Sequence, residues 1–196
     1  MTTKAGRPRD PAADRAITAA TVRLLQDHGY RGLSIEAVAE AAGVAKTTIY
    51  RRYASKRELV VGALRDETEF PPPPPELPFK DALAWLVRQG VSMLIGARAI
   101  RILASFLSEE EREPALLEIF RARLLEPRRA MLVEILRAGI DRGEVAADTD
   151  VELVTEMVFG ALLSHHIRGL VADEAWIERE TAAVAAMLTP PGGAHR

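Results

Sequence analysis

Residues 34–53 read SIEAVAEAAGVAKTTIYRRY, and this stretch decides the fold. Ser34 can accept an orphan backbone N–H at a helix start, and Glu36 suits the positive end of that helix. Gly43 then permits a tight turn, and a second short helix is expected over about residues 45–52. Helix, glycine turn and helix at these lengths have the dimensions of a helix-turn-helix. Ile35, Val38, Val44 and Ile49 are expected to lock the two helices together. The outer face of the second helix then offers Lys46, Thr47, Thr48, Tyr50 and Arg51. That mix suits a DNA major groove. Thr can touch base edges, Lys and Arg reach guanine or phosphate, and Tyr can bond a phosphate.

The flanks extend the pattern. Asp10-Pro11 is a helix start, with Asp as cap and Pro where a missing N–H costs nothing. Ile17, Ala20, Leu24 and His28 are expected on its buried face, and Gly29 is expected to stop it. Ser55-Lys56-Arg57-Glu58 is a capping box opening a helix that carries Leu59, Ala63 and Leu64. Tyr50 and Tyr53 share one side of a helix, and Tyr53, beside the next cap, is the better core candidate. Ahead of the first helix, Arg7 and Arg9 are held extended by Pro8 and could enter a minor groove. An ordinary solvated tail is the alternative.

Charge is divided in the same way. Residues 1–65 hold 12 basic and 6 acidic side chains, and residues 66–196 hold 14 and 22. A basic head on an acidic body points to a polyanion partner for the head alone. The chain has 196 residues and no Cys, which excludes disulfide scaffolds, iron–sulfur clusters and thiolate chemistry. No run of eighteen apolar residues occurs, so no membrane partner is expected. The opening MTTKAGRPRD lacks the apolar core of a secretory signal, which predicts a cytoplasmic protein.

Ala, Leu, Arg and Glu at helical spacing dominate the whole chain, so the fold class is all-α. The expected division is an arm at 1–9, a DNA-binding head at 10–68, a proline-rich linker at 69–79, a helical domain at 80–189 and a frayed tail at 190–196. PPPPPELP at 71–78 is expected to be an extended spacer, with an SH3-type docking motif as the alternative. Further helices are expected at about 80–96, 98–108, 114–141 with a kink at Pro127, 150–168 after a capping box at Thr149, and 173–188. Apolar and small residues of the last two helices, among them Val154, Met157, Val158, Leu162, Val184 and Met187, form stripes. Those stripes suit either a two-copy interface or the core of one copy.

The run from Gly32 to Leu59, GLSIEAVAEAAGVAKTTIYRRYASKREL, with the preceding LLQDHGYRGLS, resembles the DNA-binding domain of the TetR (tetracycline repressor) family of transcriptional regulators. The resemblance covers roughly residues 10–66. It implies a three-helix DNA-binding domain on a larger helical domain that dimerises and commonly binds a small effector. Thr47, Thr48, Tyr50 and Arg51 match the recognition helix, and Lys56 matches a lysine that meets the DNA backbone. Arg52 departs from the family, which very often has His there, and implies a stronger phosphate contact. RGEV at 142–145 and FGALLSHHIRGL at 159–170 resemble the regulatory domain of one subgroup.

Together these readings give an expected DNA-contacting set of Arg7, Arg9, Ser34, Lys46, Thr47, Thr48, Tyr50, Arg51, Arg52 and Lys56. The expected effector-contacting set is Trp85, Met93, Phe106, Phe120, Met131 and His165, with core packing as the alternative for each. The leading function is a homodimeric regulator, a repressor of a palindromic operator, dimerising through its last two helices and released by a small molecule. An enzyme is the rival. Ser164 stands beside His165, but adjacent helical residues point apart. There is no nucleophile elbow, metal-ligand cluster or Gly-rich phosphate loop, so no cofactor or metal is expected. A helical binding module that no longer uses DNA is the third reading, and the Thr47–Arg51 face speaks against it.

Overall fold

The computed structural model of the chain describes residues 11–65, 71–92 and 99–190. The arm with Arg7 and Arg9, Met93, and the tail beyond residue 190 lie outside the described residues. Within them every regular element is helical, and two compact units are present.

The first unit opens with α1, Pro11–Gly32. Gly29 breaks it with φ 66° and ψ 179°, and one further turn closes through a Leu33 N–H bond to the Gly29 carbonyl at 3.2 Å. The buried stripe runs through Ile17, Thr21 and Leu25, whereas Leu24 is half-buried and His28 is exposed. The expected face was therefore rotated. Thr21 can join the core because its hydroxyl donates to the Ile17 carbonyl at 2.7 Å. Ser34 caps α2, Ile35–Ala42, accepting from the Ala37 N–H at 3.1 Å. Gly43 ends α2 with φ 65°, a conformation other residues reach only with strain. After the turn come α3, Lys46–Tyr50, and α4, Lys56–Arg65. At α4 the Ser55 hydroxyl accepts from the Glu58 N–H at 3.1 Å, while the Glu58 carboxylate accepts from Ala54, one residue before the expected partner.

Most of α6, Ala99–Leu107, and α7, Pro114–Phe120, belong to this same unit. A division at the proline run would place them elsewhere. They belong here because α4 packs on α7, and because Phe106 meets both Tyr30 and Phe120 edge-on with ring centres 6.4 Å apart. Arg31 pairs with the buried Glu109 carboxylate, and Arg57 lies 3.5 Å from Glu113.

The second unit contains α5, Phe79–Gly90; α8, Glu126–Asp141; α9, Val151–Ile167; and α10, Glu174–Leu188. Leu83, Leu132, Leu136, Val158, Leu162, Trp176 and Ile177 form its core. The single helix expected over 114–141 is divided by a π-helical turn at Arg121–Leu125. Pro127 sits just inside α8, where its missing N–H is tolerated, so the kink resolves as an extra residue in the preceding turn. The buried Arg128 guanidinium donates to the Leu124 carbonyl of that turn, and burial lowers its pKa to about 10. At α9 the cap is Asp150, which accepts from the Leu153 N–H at 3.0 Å, and not Thr149. Asp has the more basic acceptor at a helix start.

The proline run is seated against α8. Pro72–Pro75 and Leu77 line a groove of about 470 Å3 with Met131, Ile135 and Ala138 of α8. A turn closes through the Leu77 N–H to the Pro74 carbonyl at 3.2 Å. Arg142 donates to the Leu77 carbonyl at 3.3 Å and pairs with Glu144. Glu144 in turn accepts from the Phe79 N–H, and so caps α5, whose own cap position is Pro78 with no side-chain acceptor.

Arg142, and then the Phe79 N–H, hold the Glu144 carboxyl below its ordinary range. A carboxylate with a lowered folded pKa stabilises the fold above its unfolded value and loses that contribution as pH falls through the folded value. Glu144→Gln is therefore expected to be less stable by about 1 kcal/mol at pH 7. In urea unfolding that difference should shrink once the pH drops below the usual glutamate value of 4.5. A pH-independent difference would show that the charge is not what caps α5.

Candidate nucleic-acid interface

The site grows out of one buried side chain. Ile49 is the buried residue of α3 and is fully enclosed, with Ile35 and Val38 of α2 also buried and Val44 half-buried. With Ile49 turned inward, helical geometry turns Thr47 and Tyr50 outward. Both are exposed, as are Lys46 at the helix start and Arg51 one residue past the helix, and Thr48 is half-buried. Tyr50 is 52% exposed, so its hydroxyl and ring are open to a partner. Tyr53 takes the opposite role. Its ring lies against α4, where a Cβ on Gly62 would come 2.5 Å from it. The first turn of α3 has no side-chain cap, because Ala45 stands at that position. Its backbone N–H groups therefore suit a phosphate oxygen.

Other members of the expected set are turned toward the protein. The Ser34 hydroxyl is spent on capping α2. Lys46 bonds Glu36 at 3.0 Å, and this contact holds the Glu36 carboxyl below its ordinary range. Both partners are exposed, so the pair is weak and easily exchanged for a phosphate. Lys56 donates to the Tyr30 carbonyl at 2.9 Å and lies 4.3 Å from the centre of the Tyr30 ring. Burial, and next Glu113, raise the Tyr30 pKa, so the ring stays a neutral phenol there. Arg52 is also engaged within the protein. Its Nε pairs with Asp14 of α1, its Nη1 donates to the Thr48 carbonyl at 3.2 Å, and its side chain is only 11% exposed. Nothing in the sequence singles out Asp14 or Tyr30, since each lies far along the chain from its partner.

Five of the six effector candidates fall among the described residues, two in the first unit and three in the second. Phe106 and Phe120 are core of the first unit. In the second unit Trp85 is half-buried against the core, Met131 lines the proline groove, and His165 stacks on Trp176 with ring centres 4.4 Å apart. Phe106 and Phe120 are thus core side chains, and the other three are only partly buried.

Comparison with known proteins decides the family. Residues 17–63 match the family described as bacterial regulatory proteins, tetR family, and residues 73–184 match the tetracyclin repressor-like C-terminal domain. The chain belongs to the TetR family of bacterial regulators. It is 33% identical over 172 residues to an uncharacterised HTH-type transcriptional regulator of Mycobacterium tuberculosis, covering 85% of this chain and 84% of that protein. It is 27% identical over 194 residues to a DNA-binding transcriptional repressor of Mycobacteroides abscessus, covering 94% and 97%. The crystal structure of a TetR-family regulator from Mesorhizobium loti shares the fold, with a TM-score of 0.69 at 21% identity over 92% of this chain and 96% of that one. That of the regulator FadR from Bacillus subtilis, in complex with stearoyl-CoA, gives 0.63 at 22% identity over 93% and 100%. This TetR-family chain is thus a DNA-binding transcriptional regulator, and no helix among its described residues is long and apolar enough to cross a membrane.

The Tyr53 packing is open to a direct check. Gly62→Ala places a methyl in the space of the Tyr53 ring and is expected to lower stability by about 1–3 kcal/mol in thermal unfolding. An unchanged melting temperature would mean that the ring can swing clear.

Proposed function

We propose that two copies of this chain read a palindromic operator as a homodimeric repressor, and that a small-molecule effector releases them. The observation that carries the DNA half is the exposure of Lys46, Thr47, Tyr50 and Arg51 around a single buried Ile49. Thr47 and Thr48 touch base edges, Tyr50 and Arg51 hold phosphates, and Lys46 leaves Glu36 for the backbone. Arg7 and Arg9 reach the adjoining minor groove.

The dimer forms through α9 and α10. Val154, Val158, Leu162, Val184 and Leu188 close the core of their own unit. Leu153, Met157, Leu163 and Met187 remain exposed on the same two helices, at 40–61%. Exposed Gly160, Ala182, Ala183 and Ala186 would let partner helices approach closely. The repressor and effector roles are supported by the named function of the Mycobacteroides relative and by the acyl-CoA bound to FadR. An effector that favours the DNA-incompetent arrangement shifts the population, and one that binds both equally does nothing. The packing of α4 on α7, and of Tyr30 on Phe106, is the route by which such a shift reaches α3.

Selection from random duplexes with purified protein tests the reading and is expected to return a palindrome. On that operator, Arg51→Ala should weaken all DNA binding and reduce the salt slope by about one. Thr48→Ala should instead relax preference at one base pair by about 1–3 kcal/mol. Met157→Glu with Met187→Glu should give a monomer in sedimentation that no longer holds the palindrome. A variant that stays dimeric would place the interface elsewhere.

A further inference from the structure

The recognition helix is short of anchors. α3 has five residues, no side-chain cap, and Ile49 as its buried residue. A helix of this length does not persist by its own hydrogen bonds. Within the helix one buried side chain fixes where it sits, while Val44 before it is only half-buried. A second hold is needed to set its pitch.

Arg52 is placed to be that hold. It follows α3 by two residues, and its guanidinium reaches in two directions at once. Nη1 donates to the Thr48 carbonyl within the helix, and Nε forms an ion pair with the Asp14 carboxylate in the first turn of α1. A planar fork can serve a carbonyl and a carboxylate together, which a lysine ammonium on a flexible stem does far less well. The 11% exposure of the Arg52 side chain leaves little of it to offer a phosphate. Thr48, whose carbonyl it grips, is itself in the base-reading set.

We propose that Arg52 and Asp14 form a positioning pair that sets the pitch of α3, and thereby the discrimination between operator and other DNA, without Arg52 meeting the DNA. The proposal rests on the DNA-binding reading above. It reverses the phosphate role that the family resemblance suggests for position 52.

The test uses the full-length protein on the selected operator and on a random duplex, each at several salt concentrations, with Arg52→Gln, Asp14→Asn and the double variant. Each single change is expected to lower the operator-to-random ratio about tenfold. The double variant should lose no more than about threefold beyond either single, because both remove one interaction. The salt slope should match wild type in all three. Should Arg52 be a phosphate contact, Arg52→Gln would reduce the slope by about one and Asp14→Asn would tighten DNA binding. Either result overturns the proposal. So do additive single effects, or equal losses on operator and random DNA accompanied by a lower unfolding temperature. If Arg52→Gln does not fold, Asp14→Asn alone carries the comparison. Wild-type protein that ignores every duplex at low salt would overturn the DNA-binding reading itself, a result distinct from any of these.

Discussion

Burial of Ile49 is the constraint on which the DNA-binding face depends. α3 is too short to be a stable helix in isolation. It exists because one apolar side chain is withdrawn from water beside α2, and because Gly43 turns the chain through a left-handed conformation that brings the two helices together. Once Ile49 points inward, the 100° step between helical residues dictates which neighbours face out. The chemistry of the face follows from that one packing decision.

Around this point the polar contacts serve position more than recognition. Arg52 ties α3 to α1, Lys56 ties the start of α4 to the break in α1, and Glu36 neutralises Lys46 at the surface. Gly29 belongs to the same scheme. Its left-handed φ redirects the chain so that Tyr30 meets Phe106 and Arg31 meets Glu109. Several cations of the basic head therefore bond within the protein as well as standing on its surface.

The second unit follows the same economy of local repair. Pro127 follows a π-helical turn, and the Arg128 guanidinium donates to the Leu124 carbonyl of that turn. Pro78 leaves α5 without a side-chain cap, and Glu144 supplies one from across the unit. The first repair is local, and the second comes from a residue distant in sequence.

Local chemistry was legible from the residues alone. Ser34, Gly43 and the outward set on α3 act within one or two turns of themselves, so cap, turn and periodicity suffice to place them. The all-helical class was legible for the same reason, since 3.6-residue periodicity is a property of neighbours. The face of α1, the division of the long helix at 121–125 and the seat of the proline run were not. These depend on which helix covers which, and periodicity states only that a face is apolar. The inward turn of Arg52 shows the difference most plainly. Charge and spacing mark it as a DNA contact, and its pairing with Asp14 on another helix could not be read from them, because an ion pair is decided by three-dimensional distance and desolvation.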